Sequence, residues 1–317
     1  MALTSNQVDM SVKLSDNFIL KNPILTASGT FGYCDEFEDY TDISSLGAVV
    51  TKAITREPRT GNDGQRVLEV HGGMINSIGL ENIGIEKFIE TRLPILKAKN
   101  IEFIINIAGA SQDEYMQVAE ICEANKIKAI ELNISCPNVK QGCLEFGTDE
   151  KTLFKLISNV RNVYKGCLIV KITPNVTSVE KIALAAQNAG TDCISAINTV
   201  KALALKLYYD KNRKQFVKTR QIQGGLSGKA VKPIALGVVS RLSQVLDIPI
   251  IGIGGIYSLE DVFEFFAVGA DAVQIGTANF TNPDISGSIV NQLQNFMTEN
   301  DIQSIDELKL MLKGTIK

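Results

Sequence analysis

The residues best equipped for chemistry stand together at Asn133-Ile134-Ser135-Cys136-Pro137-Asn138. A thiol, a hydroxyl and two carboxamides within six positions combine a nucleophile or base with neutral hydrogen-bonding groups. Pro137 fixes its own φ and biases Cys136 toward extended backbone, so the thiol is held on a turn. The hexapeptide closes an apolar run, Ala129-Ile130-Glu131-Leu132, that reads as a short buried strand. The C-terminal ends of strands are where α/β enzymes keep their chemistry. A buried structural cysteine is the competing reading of the same residues.

The remaining inventory limits what that thiol can work with. The chain has 317 residues and a single histidine, His71, inside the turn-like Glu69-Val70-His71-Gly72-Gly73. A solvated loop is the expected place for it, so a base must be sought among cysteine, lysine, carboxylate and tyrosine. The six cysteines, at 34, 122, 136, 143, 167 and 193, form no CxxC pair, which argues against a zinc or iron–sulfur site; no metal is expected. Net charge is −3, which makes neither nucleic acid nor an anionic membrane an obvious partner. No run approaches the roughly 18 apolar residues of a membrane span. Met1 to Gln7 lacks the basic-then-apolar order of a signal peptide, so a cytoplasmic location is expected.

The elements that must position Cys136 follow from periodicity. Val8–Leu14 and Phe18–Lys21 read as a small N-terminal hairpin. Eight short apolar strands are expected at Pro23–Ala27, Gly47–Thr51, Phe103–Ile107, Ala129–Leu132, Leu168–Val170, Cys193–Ile197, Ile248–Ile253 and Ala272–Ile275. Helical patterns lie between most of them, at 113–125, 149–164, 178–189, 234–246 and 258–268, with Ser178 and Ser258 as N-caps. Eight strands alternating with helices favour an α/β fold of the parallel (β/α)8 barrel type over an open doubly wound sheet. A Rossmann or flavodoxin-like sheet would need a phosphate fingerprint after its first strand, which Ala27 to Gly32 does not supply. One domain, 1–317, is expected.

Each strand then ends on a residue suited to a ligand: Ser28, Lys52, Asn106, Asn133, Lys171, Asn198, Gly254-Gly255 and Gly276-Thr277. The last two bare backbone N–H groups where barrels commonly hold a phosphate, and Gly224 to Gly228 adds a flexible turn before the seventh strand. Lys52 and Lys171 need counter-charge near a core, from an anionic ligand or from a barrel carboxylate. Asn76 to Asn82 reads as a polar loop with apolar anchors. Lysines and amides in this arrangement suit a flat, hydrogen-bond-rich cofactor or substrate such as a flavin or a pyrimidine.

Taken in order, these motifs resemble class 1 dihydroorotate dehydrogenases, and among them the class 1B catalytic subunit. The resemblance runs over nearly the whole chain. It rests on Ala27-Ser28-Gly29, Lys52 with Glu57-Pro58-Arg59 and Gly61-Asn62, Asn76 to Asn82, Asn133 to Asn138, Phe146-Gly147-Thr148-Asp149, Gly224 to Gly228 with Lys232-Pro233, and the two last glycine turns. It implies a (β/α)8 barrel with FMN at its C-terminal mouth, touched by Ser28, Lys52, Ala53, Asn106, Asn133, Lys171, Ile197, Gly228, Gly254, Gly255, Gly276 and Thr277. It implies an orotate ring held by Lys52, Asn76, Ser77, Ile78, Gly79, Leu80, Asn133, Asn198 and Thr199. Cys136 would remove the C5 proton of dihydroorotate while hydride leaves C6 for the flavin, and Pro137 to Gly147 would form a lid. Class 1B also implies a homodimeric core and a partner subunit carrying FAD and a 2Fe–2S cluster, which passes electrons to NAD in a heterotetramer. The membrane-bound class 2 pattern, with an N-terminal helix and a serine base, is not seen.

Some positions depart from that pattern. Glu69-Val70-His71 precedes Gly72-Gly73 in place of an acidic-threonine pair, and Glu81-Asn82-Ile83-Gly84 replaces glutamine-asparagine-proline-glycine. Val200 to Phe216 is unusually basic, with Lys201, Lys206, Lys211, Arg213 and Lys214; Lys229 and Gly237 stand where proline and arginine are common. Action on another dihydropyrimidine or dihydrouridine is therefore an alternative. A flavin-free phosphate-binding aldolase or isomerase barrel is the alternative of another class.

Overall fold

The structure is a computed structural model and describes residues 8–33, 35–135 and 146–315. Cys34, Cys136 and Cys143, with most of the expected lid, lie outside the described residues.

The strands in chain order are β1 Val12–Ser15, β2 Phe18–Leu20, β3 Ile24–Thr26, β4 Ala48–Val50, β5 Val67–Val70, β6 Gly73–Asn76 and β7 Phe103–Ile107. They continue with β8 Ala129–Asn133, β9 Cys167–Ile172, β10 Cys193–Ala196, β11 Val200–Asp210, β12 Gln215–Ser227, β13 Ile250–Ile253 and β14 Ala272–Ile275. β1 and β2 pair as the expected hairpin. β3, β4, β7, β8, β9, β10, β13 and β14 close, in that order, into a barrel of parallel strands. These eight are the apolar runs expected from the sequence. Buried on both faces, they read as continuous rather than alternating hydrophobic stretches.

The helices are α1 Ile85–Thr91, α2 Leu93–Ala98, α3 Gln112–Ala124, α4 Glu150–Val163, α5 Val179–Asn188, α6 Lys232–Leu242, α7 Leu259–Ala267, α8 Ala278–Thr281, α9 Ile285–Glu299 and α10 Ile305–Lys313. Side chains of Ser111, Asp149, Ser178, Ser258 and Ser304 cap α3, α4, α5, α7 and α10, and Ser258 forms a capping box with Asp261. α6 begins two residues before the expected 234, because Pro233 in the first turn is pre-organised for a helix start. No helix among the described residues is long and apolar enough to cross a membrane.

A second sheet, β11-β12-β6-β5, is antiparallel and leaves the barrel where β10 ends. One side chain from each of its four strands, Leu68, Ile75, Ala204 and Ile222, joins in a small apolar cluster of its own. The basic stretch after Asn198 is its first long strand. Gly224 to Ser227, expected as a flexible turn, is instead the end of β12, with Gly225, Leu226 and Ser227 opposite Asn76, Ile75 and Met74. Close approach explains the glycines there: a Cβ at Gly224 would lie 2.0 Å from the Asn76 carbonyl oxygen, and one at Gly225 2.0 Å from Thr199 Oγ1.

Gly252 in β13 is read the same way, since a Cβ there would sit 2.3 Å from the ring of Phe265 on α7. Phe265 is fully buried. Phe265→Ala should cost about 3–5 kcal/mol, and Gly252→Ala about 1–3 kcal/mol through overpacking. Because the two substitutions share one space, the double variant should be less destabilised than their sum; urea denaturation of all four proteins tests this.

Candidate active site

The site is built outward from the barrel axis. Glu131 is fully buried on β8, and its carboxylate accepts hydrogen bonds from three other strands and pairs with a lysine on a fourth. Asn106 Nδ2 donates to Oε1 at 2.7 Å, while Ser195 Oγ and Gln274 Nε2 donate to Oε2, each at 2.8 Å. Lys171 Nζ lies 3.6 Å from Oε1 and 3.5 Å from Gln274 Oε1. Two residues further along β8, and so on the same side of the strand, Asn133 is in register with Lys171. The side chains of Asn133 and Lys171 therefore form the layer above Glu131, and both line the cavity at the barrel mouth.

That cavity has a volume of about 310 Å³. Its wall includes Ser28, Lys52, Ala53, Asn133, Lys171, Ile197, Gly228, Gly254, Gly255, Gly276 and Thr277, so eleven of the twelve residues expected to hold FMN are brought together. The twelfth, Asn106, is not on the wall; it sits with Glu131 inside the barrel, and its Oδ1 has no partner among the described residues. An adjoining space of about 510 Å³ is lined by Asn76, Ser77, Ile78, Gly79, Leu80, Asn133, Asn198 and Thr199. All the expected orotate-binding residues but Lys52 are there, and Lys52 borders the first cavity. The two spaces share Asn76, Ile78, Leu80, Asn133, Asn198 and Thr199.

The shared wall is held by its own hydrogen bonds. Asn198 Nδ2 donates to Asn133 Oδ1 at 3.2 Å, and Asn198 Oδ1 accepts from Thr199 N–H at 2.8 Å. The fully buried Tyr115 of α3 donates to the Asn133 carbonyl at 2.6 Å and packs edge-on to Phe146. Asn76 donates to the Gly225 carbonyl at 3.2 Å, tying the wall to β12. Leu80 adopts a positive φ of 57°, an uncommon conformation for an apolar L-residue, on the edge of both spaces.

Both strand-end lysines have carboxylate partners. Lys171 has Glu131 in the barrel, and Lys52 has Glu81 in the loop after β6 at 3.5 Å; Glu81 also takes Arg66 at 2.8 Å. Charge balance alone thus asks for no anionic ligand. The stronger signs of one are steric and polar. Gly255 lines the first cavity at φ 71°, and a Cβ there would meet Lys232 N at 2.9 Å and Gly228 O at 3.0 Å. In the second space Ser135 Oγ is buried without a partner among the described residues. A cradle of glycines and small hydroxyls beside two cations fits a phosphate-bearing flavin, and the amide-rich space beside it fits a small planar polar molecule.

Several lining residues were not singled out from the sequence as binding residues. Thr173, Asn175, Lys201 and Gln223 all border the second space. Asn175 donates to Thr173 Oγ1 and to the Thr199 carbonyl, each at 2.9 Å. The signal for it was a carboxamide directly after Pro174 at a strand end. Nothing local marked Gln223, which arrives on the second sheet. His71 lies exposed in the turn between β5 and β6, as expected.

A closed parallel barrel with amides, lysines and glycine turns gathered at one mouth is the architecture of a (β/α)8 barrel enzyme, whose chemistry sits at the C-terminal ends of its strands. Residues 11–297 match the family model for dihydroorotate dehydrogenase. The chain is 44% identical to the dihydroorotate dehydrogenase B (NAD(+)) catalytic subunit of Geotalea daltonii, over 96% of this chain and 98% of that one. It is 42% identical to the protein of that name from Bacteroides thetaiotaomicron (95% and 97% covered), and 45% to that from Listeria monocytogenes serotype 4b (92% and 94%). The chain belongs to the dihydroorotate dehydrogenase family, whose members are oxidoreductases.

The cysteines within the described residues are structural. Burial pushes the Cys122 and Cys167 thiols up to about 12 and Cys193 well above its ordinary value. Removing these three from the chain's six leaves Cys34, Cys136 and Cys143. At pH 8 a thiol reagent should therefore modify at most three thiols of the folded protein and all six in denaturant. Peptide mass mapping that finds Cys122, Cys167 or Cys193 labelled as fast as a free thiol would contradict this.

Proposed function

We propose that this chain, as a single domain of residues 1–317, oxidises (S)-dihydroorotate to orotate in pyrimidine biosynthesis as the catalytic subunit of an NAD-linked enzyme. The observation that carries the reading is the pair of adjoining spaces that meet at Asn76, Asn133, Asn198 and Thr199 and share them as lining. One suits a flavin mononucleotide and the other a pyrimidine ring, so a reacting carbon can lie directly against the cofactor where the two spaces join. FMN, when bound, supplies the acceptor for the hydride that leaves C6.

The chain's own residues have separable tasks. Gly254, Gly255, Gly276 and Thr277 receive the phosphate through backbone N–H groups. Ser28, Ala53, Ile197, Gly228 and Lys171, which line the same cavity, would hold the rest of the flavin. Lys52 lies on the flavin wall within reach of both molecules. Asn76, Asn133, Asn198 and Thr199 orient the pyrimidine through donors and acceptors that match its imide and carboxylate, with Ser77 to Leu80 closing its outer side. Cys136, next to the cavity-lining Ser135, takes the C5 proton as its thiolate, while the C6 hydride departs and the C5=C6 bond forms. Asn106 supports this layer from beneath. A partner subunit carrying FAD and a 2Fe–2S cluster would link the oxidation to NAD, in a cytoplasmic heterotetramer built on a homodimer of this chain.

The test is direct. The purified chain should be yellow, and anaerobic dihydroorotate should bleach it while dihydrouracil does not; bleaching by dihydrouracil alone would move the substrate to another dihydropyrimidine. Cys136→Ala should retain flavin and lose about 10²–10⁴-fold in turnover, the usual contribution of a general base. A variant with near-normal rates across pH would remove Cys136 from the mechanism.

A further inference from the structure

We infer that Glu131 is a positioning residue for Lys171, holding its ammonium at the floor of the flavin cavity and attenuating the charge the cofactor meets there. The inference rests on the flavin reading above, but its observations are independent of it. Glu131 is fully buried and does not border the cavity, whereas Lys171 does, with its side chain 7% exposed.

Four groups converge on the two carboxylate oxygens: Asn106 Nδ2, Ser195 Oγ, Gln274 Nε2 and Lys171 Nζ. All four can donate. A carboxylate is acceptor-only, with about four lone-pair sites, so it can face all four groups at once. Gln274 completes the set, giving its N–H to Glu131 and offering its Oε1 to Lys171 at 3.5 Å. Lys171 is held from below by Glu131 and Gln274 and borders the cavity with the rest of its side chain.

Reduction adds negative charge to a flavin, and charge beside its ring is one of the protein's levers on its potential. A lysine alone would favour the reduced form strongly. A lysine backed by a fixed carboxylate in a low-dielectric interior favours it less, by an amount set by this geometry. Glu131 then acts on the cofactor through Lys171 without touching it.

The experiment is a double-mutant cycle on the full chain reconstituted with FMN: wild type, Glu131→Gln, Lys171→Met and both together. The readouts are the FMN midpoint potential, from reductive titration against a reference dye, and FMN affinity, from fluorescence quenching. Glu131→Gln should shift the oxidised-to-reduced ratio at fixed potential at least tenfold toward the reduced form, a rise of about 30 mV for a two-electron couple, and a shift toward the oxidised form overturns the inference. Made in the Lys171→Met background, the same substitution should change it less than threefold. An equal shift in both backgrounds, or none in either, overturns the inference. If Glu131→Gln does not fold, Glu131→Asp takes its place: it keeps the anion but withdraws it by one methylene, and the same lysine-dependent shift is required. A wild-type chain that fails to quench FMN fluorescence would overturn the flavin reading itself, before any variant is compared.

Discussion

One carboxylate in the middle of the barrel, that of Glu131, sets the arrangement of everything above it. It sits on β8, accepts hydrogen bonds from β7, β10 and β14 and pairs with the lysine of β9, so five of the eight barrel strands meet at one side chain. A buried ion pair of this kind is weak evidence for stability, because apolar replacements of similar volume are often neutral or stabilising. Breaking it is another matter, since the surviving charge would be stranded without solvent. What the arrangement adds is placement. A strand slipped by one residue would carry its donor to the outer face, and the carboxylate would be left short of partners.

From that centre the site rises in layers. Asn133 stands two residues beyond Glu131, beside Lys171, and α3 reaches over to fix its carbonyl through Tyr115. The barrel thus supplies one rigid wall made of strand ends. The opposite wall comes from the second sheet, where Asn76 and Gly225 are bound together and Leu226 and Ser227 face the cavity. Sites carried on strands keep their geometry better than sites on loops. Here even the residues that appeared as a loop and a glycine turn, Asn76 and Gly224 to Ser227, are the ends of paired strands.

What could be read from the residue order divides along physical lines. The eight barrel strands were legible because each is a short apolar run buried on both faces and stopped by an amide, a lysine or glycines. Five helices, α3 to α7, were legible through their apolar periodicity, two of them with the Ser178 and Ser258 caps, whereas α1, α2, α8, α9 and α10 were not anticipated. β11 was not, because Val200 to Tyr209 mixes lysines with leucines and most of its side chains are exposed. Its glycine partners looked like a turn because close approach and turning ask for the same residue. The roles of Glu131, Ser195 and Gln274 were hidden too, each lying inside a run counted as apolar. The informative sign was a charge in the middle of such a run, since glutamate is almost never fully buried without partners. Most of the cavity wall was recovered by residue. Asn106 was expected there and lies one layer beneath, because its carboxamide is engaged by the buried carboxylate. Cys136 lies outside the described residues, and its role rests on its sequence neighbours.

The two lysines of the site show why pairing alone says little about function. Lys171 and Glu131 are both shielded from water, so their attraction is barely screened and neither can leave without a large desolvation penalty. Lys52 and Glu81 have side chains 27% and 48% exposed, and Glu81 is shared with Arg66. Pairs of that kind are worth about 0–1 kcal/mol and are screened by salt. A ligand offering Lys52 a better-placed anion can therefore draw it from Glu81 at little cost, while Arg66 keeps the carboxylate compensated. No ligand can do this to Lys171. The cavity accordingly holds one cation that is fixed before anything binds and one that can be recruited by what binds.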